Sequence, residues 1–204
     1  LAEEITVTPK GNAFLEQAPY FTEHVRRYLV DKYGEEAVLN GGLPKWLVEG
    51  RDLEDGPART RDRHFLALQR HHLVRSLRQM IAIAENASEQ VVDARSAARF
   101  SGAEAEPRAG LRKGAIPGSL NLPFPELLDM GAYGTLRPAS ELRAAFTAAG
   151  VDLKKPFTAT CGSGITAAVI AFAAYLLGQK DVAVYDGSFA EWGAAEGAPV
   201  VVAA

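Results

Sequence analysis

The stretch FTATCGSGITAAVIAFAAYLLGQKDVAVY, running from Phe157 to Tyr185, decides the fold. Phe157 to Thr160 reads as a strand, Thr166 to Leu177 as an apolar helix ended by Gly178, and Val182 to Tyr185 as a second strand before a turn at Asp186-Gly187. Buried strands alternating with a buried helix predict an α/β domain with a parallel central sheet flanked by helices on both faces. The pattern continues outward. Pro138 opens a helix in which Leu142, Ala145, Phe146 and Ala149 share one face, and Gly150 closes it. Ile116 to Leu122 reads as turn and strand, with Pro123 and Pro125 ending it, after a polar loop from Ser101 to Lys113. Further back lie a short helix near Ala97, a strand over Gln90 to Ala94 and a helix over Ser76 to Ala87.

The chain divides unevenly ahead of that region. Residues 50–73 read as an Arg-rich linker, and residues 1–49 as a short, mostly helical N-terminal extension too small to hold a core alone. In it, Phe21 to Tyr33 carries helical spacing, Ala37 to Leu39 reads as a short strand, and Pro44 opens a helix with Trp46 and Leu47. Residues 74–204 are left as the main α/β domain.

Composition narrows the function. The 204 residues are 48% hydrophobic and 23% charged, which excludes disordered and fibrous classes. A net charge of -3 argues against nucleic acid as a partner, and the arginines between Arg59 and Arg78 have a single aromatic, Phe65, among them instead of an interleaved series. The apolar run from Ala167 to Leu177 is too short for a bilayer core of about 30 Å, so no membrane partner is expected. The lone Cys161 forms no internal disulfide, which points to the cytoplasm. The chain begins with Leu1 instead of Met and reads as a trimmed chain or a fragment. His64, His71 and His72 offer no paired metal-ligand spacing, so no metal and no cofactor is expected.

Cys161-Gly162-Ser163-Gly164-Ile165-Thr166 falls between a predicted strand and a predicted helix, where open α/β folds place their ligands. Gly162 and Gly164 allow successive amides to turn inward, and the helix start adds positive potential, so the loop is a cradle for an anion. A thiol there is expected to ionise readily and act as a nucleophile. Phosphoryl chemistry is disfavoured, because the position six residues after the cysteine, where a phosphate-gripping arginine is needed, holds Ala167. Thr166 is expected to cap the following helix through its hydroxyl, and Ile165 to shape the pocket wall. Asp93 with Arg95 reads as an ion pair bracing a strand end, and Asp186 and Trp192 as fixing the last turn and the core.

Several spaced motifs then carry a resemblance. Val91-Val92-Asp93-Ala94-Arg95, Arg99-Phe100, Glu106-Pro107-Arg108, Ile116-Pro117-Gly118-Ser119, the Cys161 loop, and Tyr185-Asp186-Gly187-Ser188 with Glu191-Trp192-Gly193 occur in one order. Together they resemble the catalytic domain of the rhodanese-like sulfurtransferases, the 3-mercaptopyruvate-using members above all. The resemblance implies that Cys161 accepts sulfur as a persulfide, that Ser163 assists it, and that Arg99 and Arg108 hold the carboxylate of a small-molecule sulfur donor. Gly162, Gly164, Ile165 and Thr166 complete the implied substrate site. A thiol, such as a thioredoxin-like protein, or cyanide would then take the sulfur.

Thiosulfate-using relatives resemble this chain but carry basic side chains after the cysteine. Neutral Gly162 and Ser163 favour mercaptopyruvate, with thiosulfate transfer and a non-catalytic binding or redox-sensing module as the alternatives. Two departures stand out. Ala115 replaces a histidine of the family, which is expected to loosen the Ile116-Pro117-Gly118 turn. Of the family's usual first domain only the end is recognisable, in residues 37–47, while residues 18–36 resemble a segment of class A penicillin-binding proteins whose catalytic motifs are missing here.

Overall fold

The computed structural model describes Val48, Gly50, residues 71–132 and residues 134–202. The front-piece elements expected over residues 21–47, and the segment 18–36 expected to resemble penicillin-binding proteins, lie outside the described residues; no comparison shows that resemblance. The chain divides into two compact units, Leu1–Gln69 with Met130–Thr135 and Arg70–Asp129 with Leu136–Ala204. The second unit holds the sheet.

In chain order it runs through β1 (Val74–Arg75), α1 (Leu77–Asn86), β2 (Gln90–Asp93), α2 (Ala97–Ser101), β3 (Leu120–Asn121), α3 (Ala139–Ala148), β4 (Phe157–Thr160), α4 (Ala167–Leu176), β5 (Val182–Tyr185) and α5 (Ser188–Ala194). The five strands lie side by side in the order β1-β5-β4-β2-β3, and every neighbouring pair is parallel. Gln90 pairs with Phe157 and Asp93 with Thr160, so the carboxyl ends of β2 and β4 come out level. That shared edge is where the site forms.

Local sequence explains the boundaries. Ser76 and Gln79 form a reciprocal capping box that starts α1, which buries Met80 and Ile83. Met80 and Ile83 pack with Val91, Ile116, Tyr185, Phe189, Trp192 and Ala198 on one face of the sheet. On the opposite face α3 buries Leu142 and Phe146, and the ring of Phe146 meets Phe157 of β4 at 6.2 Å between centroids. Gly150, with φ +77°, turns the chain out of α3.

Two features were not legible in the sequence. The helix predicted over Thr166 to Leu177 is not buried all round. It packs on β4 and β5 with Ala167, Ile170, Ala173 and Ala174, while Phe172, Tyr175 and Leu176 are each about half exposed. An apolar composition on every face cannot tell which stripe meets the sheet. The turn at Ile116 has a tie to a distant segment that the sequence did not show. Ala115 is buried and exchanges two backbone hydrogen bonds with Val201, at 2.8 and 3.0 Å, which tie the turn to the chain's C-terminal segment.

The carboxyl end of α5 is held by one side chain. The Arg112 guanidinium donates to the carbonyls of Trp192, Gly193, Ala195 and Ala198, at 2.6 to 3.0 Å. The fork thereby satisfies carbonyls that a helix end leaves without intrahelical partners. Among the described residues no helix is long and apolar enough to cross a membrane.

Candidate active site

The parallel ladder of β4 ends at Thr160 and delivers Cys161 onto the sheet edge, where its side chain is buried. The loop beyond it is anchored by α5. The Cys161 carbonyl accepts from the Phe189 N–H at 2.9 Å, and the Gly162 carbonyl accepts from the Ala190 N–H at 3.0 Å. Both donors belong to the first turn of α5, whose amides have no partner within the helix. The loop is therefore pinned through its own carbonyls, and its next amide can turn inward. The Ser163 N–H points at the Cys161 Sγ, at 3.4 Å.

Ser188 closes the arrangement from the other side. Its Oγ accepts from the Cys161 N–H at 3.1 Å, donates to the Tyr185 carbonyl at 2.8 Å, and lies 4.0 Å from the Cys161 Sγ. Ser188 is fully buried and holds φ +49°, a left-handed conformation that a non-glycine residue adopts only when its surroundings enforce it. The serine after the Asp186-Gly187 turn was visible in the sequence, but its contact with a cysteine 27 positions earlier was not. Beside it, burial and the Glu191 carboxylate, which accepts the Tyr185 hydroxyl at 2.7 Å, push the Tyr185 phenol well above its ordinary range.

The glycines fit for different reasons. Gly164 has φ +86°, and a Cβ there would stand 2.7 Å from the Asp186 carbonyl oxygen, so the cysteine loop and the turn after β5 press together at this point. At Gly162 a Cβ would stand 2.8 Å from the Arg99 Nη2. The missing side chain thus lets the guanidinium lie against the loop.

Arg99 is not a solvated helix charge. It is buried, and its Nε and Nη2 form a two-pronged ion pair with Glu106. Glu106 also accepts from the Arg95 Nη1 at 2.7 Å, and Arg95 in turn pairs with Asp93 at 2.7 Å and lies over the Phe189 ring at 3.7 Å. A buried chain of alternating charge therefore runs from the end of β2 to the cysteine loop. Burial alone would raise the Glu106 carboxyl, but the hydrogen bonds and charges of Arg99 and Arg95 outweigh it and hold the group below its ordinary 4.5. The expected Asp93–Arg95 brace is present; the role of Glu106 was not legible, because loop spacing gives no periodic signal.

Arg108 is exposed and rests its Nη1 on the Gly162 carbonyl at 3.4 Å. The structure thus brings Arg99 and Arg108 to the Cys161 loop at Gly162, with the Ser163 amide at the sulfur and Gly164 against the turn at Asp186. Ile165 is half-buried in the same loop, and its carbonyl accepts from the Ala168 N–H at 3.1 Å. Thr166 does not cap α4. Its backbone is already helical, at φ -75° and ψ -15°, and its hydroxyl makes no capping bond, whereas a side-chain cap needs an extended backbone to reach forward.

The profile of the rhodanese-like domain family matches residues 74–195. The chain is 43% identical over 157 residues to the thiosulfate sulfurtransferase of Bos taurus, covering 76% of this chain and 52% of that protein. It is 40% identical over 162 residues to the 3-mercaptopyruvate sulfurtransferase of Homo sapiens, covering 78% and 54%. Against the 3-mercaptopyruvate sulfurtransferase of Escherichia coli it is 37% identical over 198 residues, covering 97% and 68%. The chain spans about half the length of the first two of these relatives. Among solved structures, that of SseA from Escherichia coli, described as a 3-mercaptopyruvate sulfotransferase, matches with a TM-score of 0.62 and 37% identity over 73% of this chain and 54% of that one.

Proposed function

The chain belongs to the rhodanese-like domain family, and from that premise we propose that it is a sulfurtransferase that carries sulfur on Cys161. The observation that carries this reading is the setting of the chain's single thiol, buried at the end of β4 with the Ser163 amide directed at its sulfur and the Ser188 Oγ 4.0 Å from it. In the first step the Cys161 thiolate attacks the sulfur of 3-mercaptopyruvate. The carbon–sulfur bond breaks, its electron pair leaves with the carbon as the enolate of pyruvate, and a proton from solvent completes pyruvate. Cys161 is left as a persulfide. In the second step an acceptor thiolate, or cyanide, attacks the outer sulfur, and the Cys161 thiolate departs.

Ser163 places an amide, and by this reading its hydroxyl, beside the reacting sulfur. Arg108 and Arg99 supply the guanidinium edges that orient the donor carboxylate, a group whose two oxygens match such a fork. Gly162, Gly164, Ile165 and Thr166 shape the loop that receives it. Thiosulfate is the second reading, favoured by relatives of both names matching at 40 to 43% identity. The neutral Gly162 and Ser163 favour mercaptopyruvate, because a dianion calls for more positive charge.

A small protein dithiol of the thioredoxin type suits the second step, and one unpaired cysteine suits a reducing cytoplasm. Residues 74–204 form the catalytic domain, 50–73 a linker and 1–49 an extension; the likeness of residues 18–36 to penicillin-binding proteins adds no activity. The test is pyruvate release from 3-mercaptopyruvate with a reducing thiol, run beside thiosulfate and beside Cys161→Ser. Cys161-dependent turnover with mercaptopyruvate preferred supports the reading. No turnover with either donor by the folded protein refutes it.

A further inference from the structure

We propose that Arg112 is a positioning residue for Cys161: its guanidinium grips the far end of α5 and so holds the near end of that helix against the cysteine loop. The proposal rests on the reading that Cys161 is the reacting thiol. α5 is 7 residues long, about two turns, and so short a helix needs ties at its ends to keep its shape. At its first turn the ties run to the active site, where the Phe189 and Ala190 amides donate to the Cys161 and Gly162 carbonyls at 2.9 and 3.0 Å. At its last turn they run to one side chain. Arg112 Nε donates to the Gly193 carbonyl at 3.0 Å, Nη2 to the Trp192 and Ala195 carbonyls at 2.9 and 2.6 Å, and Nη1 to the Ala198 carbonyl at 2.7 Å. A cation at this end also opposes the negative pole of the helix.

Two local features carry the hold from one end to the other. A Cβ at Gly193 would stand 3.2 Å from the Phe189 Cε1 and 3.5 Å from the Leu111 Cβ. The missing side chain lets the fully buried Phe189 ring and the segment that carries Arg112 close on the same backbone. Arg112 thus holds the Gly193 carbonyl, Gly193 lies against the Phe189 ring, and the Phe189 amide holds the Cys161 carbonyl. The second feature is the peptide between Gly162 and Ser163. Its carbonyl and its N–H lie in one rigid plane, so the Ala190 amide that holds the carbonyl also aims the Ser163 N–H at the Cys161 Sγ, 3.4 Å away. Without the guanidinium four carbonyls lose their donor and the last turn opens more often. In a helix of two turns that opening spreads to the first turn and frees the plane.

The test reads the near end of α5 directly. In the full chain, hydrogen exchange at the Phe189 and Ala190 amides is followed by NMR relative to the Ala159 amide of β4, in wild type, Arg112→Ala and Arg112→Lys. Ala159 reports opening of the whole sheet, so a general loss of stability leaves the ratio unchanged. The ratio should rise about tenfold or more in Arg112→Ala, the effect of losing a bond to a charged donor. Arg112→Lys keeps the charge, but one nitrogen cannot span four carbonyls, so the ratio should rise there too. The lysine variant, the milder change, carries the test where the alanine variant does not fold. In parallel, intact mass follows how fast Cys161 gains sulfur from saturating 3-mercaptopyruvate. That rate should fall about tenfold or more in each variant whose ratio rises, since the thiol is no longer held in its reacting geometry.

Faster exchange confined to the Ala195 amide, which closes the last turn on the Glu191 carbonyl, overturns the proposal and makes Arg112 a local clasp. So does a wild-type rate of sulfur gain in a variant whose ratio has risen. A lysine variant equal to wild type overturns it as well, because a point charge would then suffice. If the wild type gains no sulfur while the ratio rises in both variants, the sulfurtransferase reading fails and the hold of Arg112 on the thiol loop stands. Sulfur gain by the wild type with no change of ratio in either variant leaves the sulfurtransferase reading standing and overturns the role of Arg112.

Discussion

Ser188 offers a sharp test of how the thiol is held. Ser188→Ala removes the acceptor of the Cys161 N–H, 3.1 Å away, and the donor to the Tyr185 carbonyl, 2.8 Å away, at a fully buried position. An N–H left without an acceptor costs about 1–3 kcal/mol, and the second bond adds about 1 kcal/mol, so the expected loss is about 3 kcal/mol. Alanine keeps the strain of φ +49°, whereas Ser188→Gly releases about 1 kcal/mol of it and should fall by about 2 kcal/mol. Urea unfolding reads both. The midpoints should drop in the order Gly then Ala with unchanged slopes, and the melting temperature of the alanine variant should fall by about 6–12 °C. In parallel, persulfide formation should slow in both variants, because the hydroxyl 4.0 Å from the sulfur is lost in each. A loss under about 0.5 kcal/mol for the alanine variant would refute the claim that these bonds hold the loop.

Three other sites give single-residue tests. Thr158 is fully buried in β4 with no hydrogen-bond partner for its hydroxyl, so Thr158→Val should raise stability by about 1 kcal/mol in urea unfolding; a loss would mean the hydroxyl is satisfied in solution. Gly164→Ala and Gly110→Ala place alanine at nearly equal φ, +86° and +82°, but only the first meets an oxygen at 2.7 Å. The first should therefore cost at least about 2 kcal/mol more and abolish sulfur transfer, and equal costs would contradict the packing of the loop on Asp186. Glu106 titrates below its ordinary 4.5 in the folded chain, so the stability it contributes is complete above that pH and lost as the pH falls through the folded value. Acid unfolding should thus be steeper below pH 4.5 in wild type than in Glu106→Gln, and parallel curves would contradict the ion pair.

Much of this architecture was legible because glycine and proline punctuate it. Pro138, Gly150 and Gly178 place the ends of α3 and α4 within a residue or two, and the apolar runs of β4 and β5 need no long-range information. The cysteine loop was equally legible, since its glycines and its position between strand and helix are local facts. What escaped lies in contacts between distant segments. The Ala115–Val201 bridge ties a turn to the C-terminal segment, the Arg112 clamp joins a loop to the end of α5, and the Ser188 hydroxyl meets a thiol from another strand. Arg99 was singled out for the carboxylate of a donor, and its pairing with Glu106 in the fold was a further contact that the sequence did not show. Thr166 failed as a cap for a conformational reason, since its backbone had already entered the helix.

The most direct measurement is the intact mass of the protein after incubation with 3-mercaptopyruvate and no acceptor. A sulfurtransferase working through Cys161 should gain one sulfur atom there, removed by an added thiol or by cyanide and absent in Cys161→Ser. No added sulfur in the folded wild type, or an equal gain in the serine variant, would contradict that chemistry.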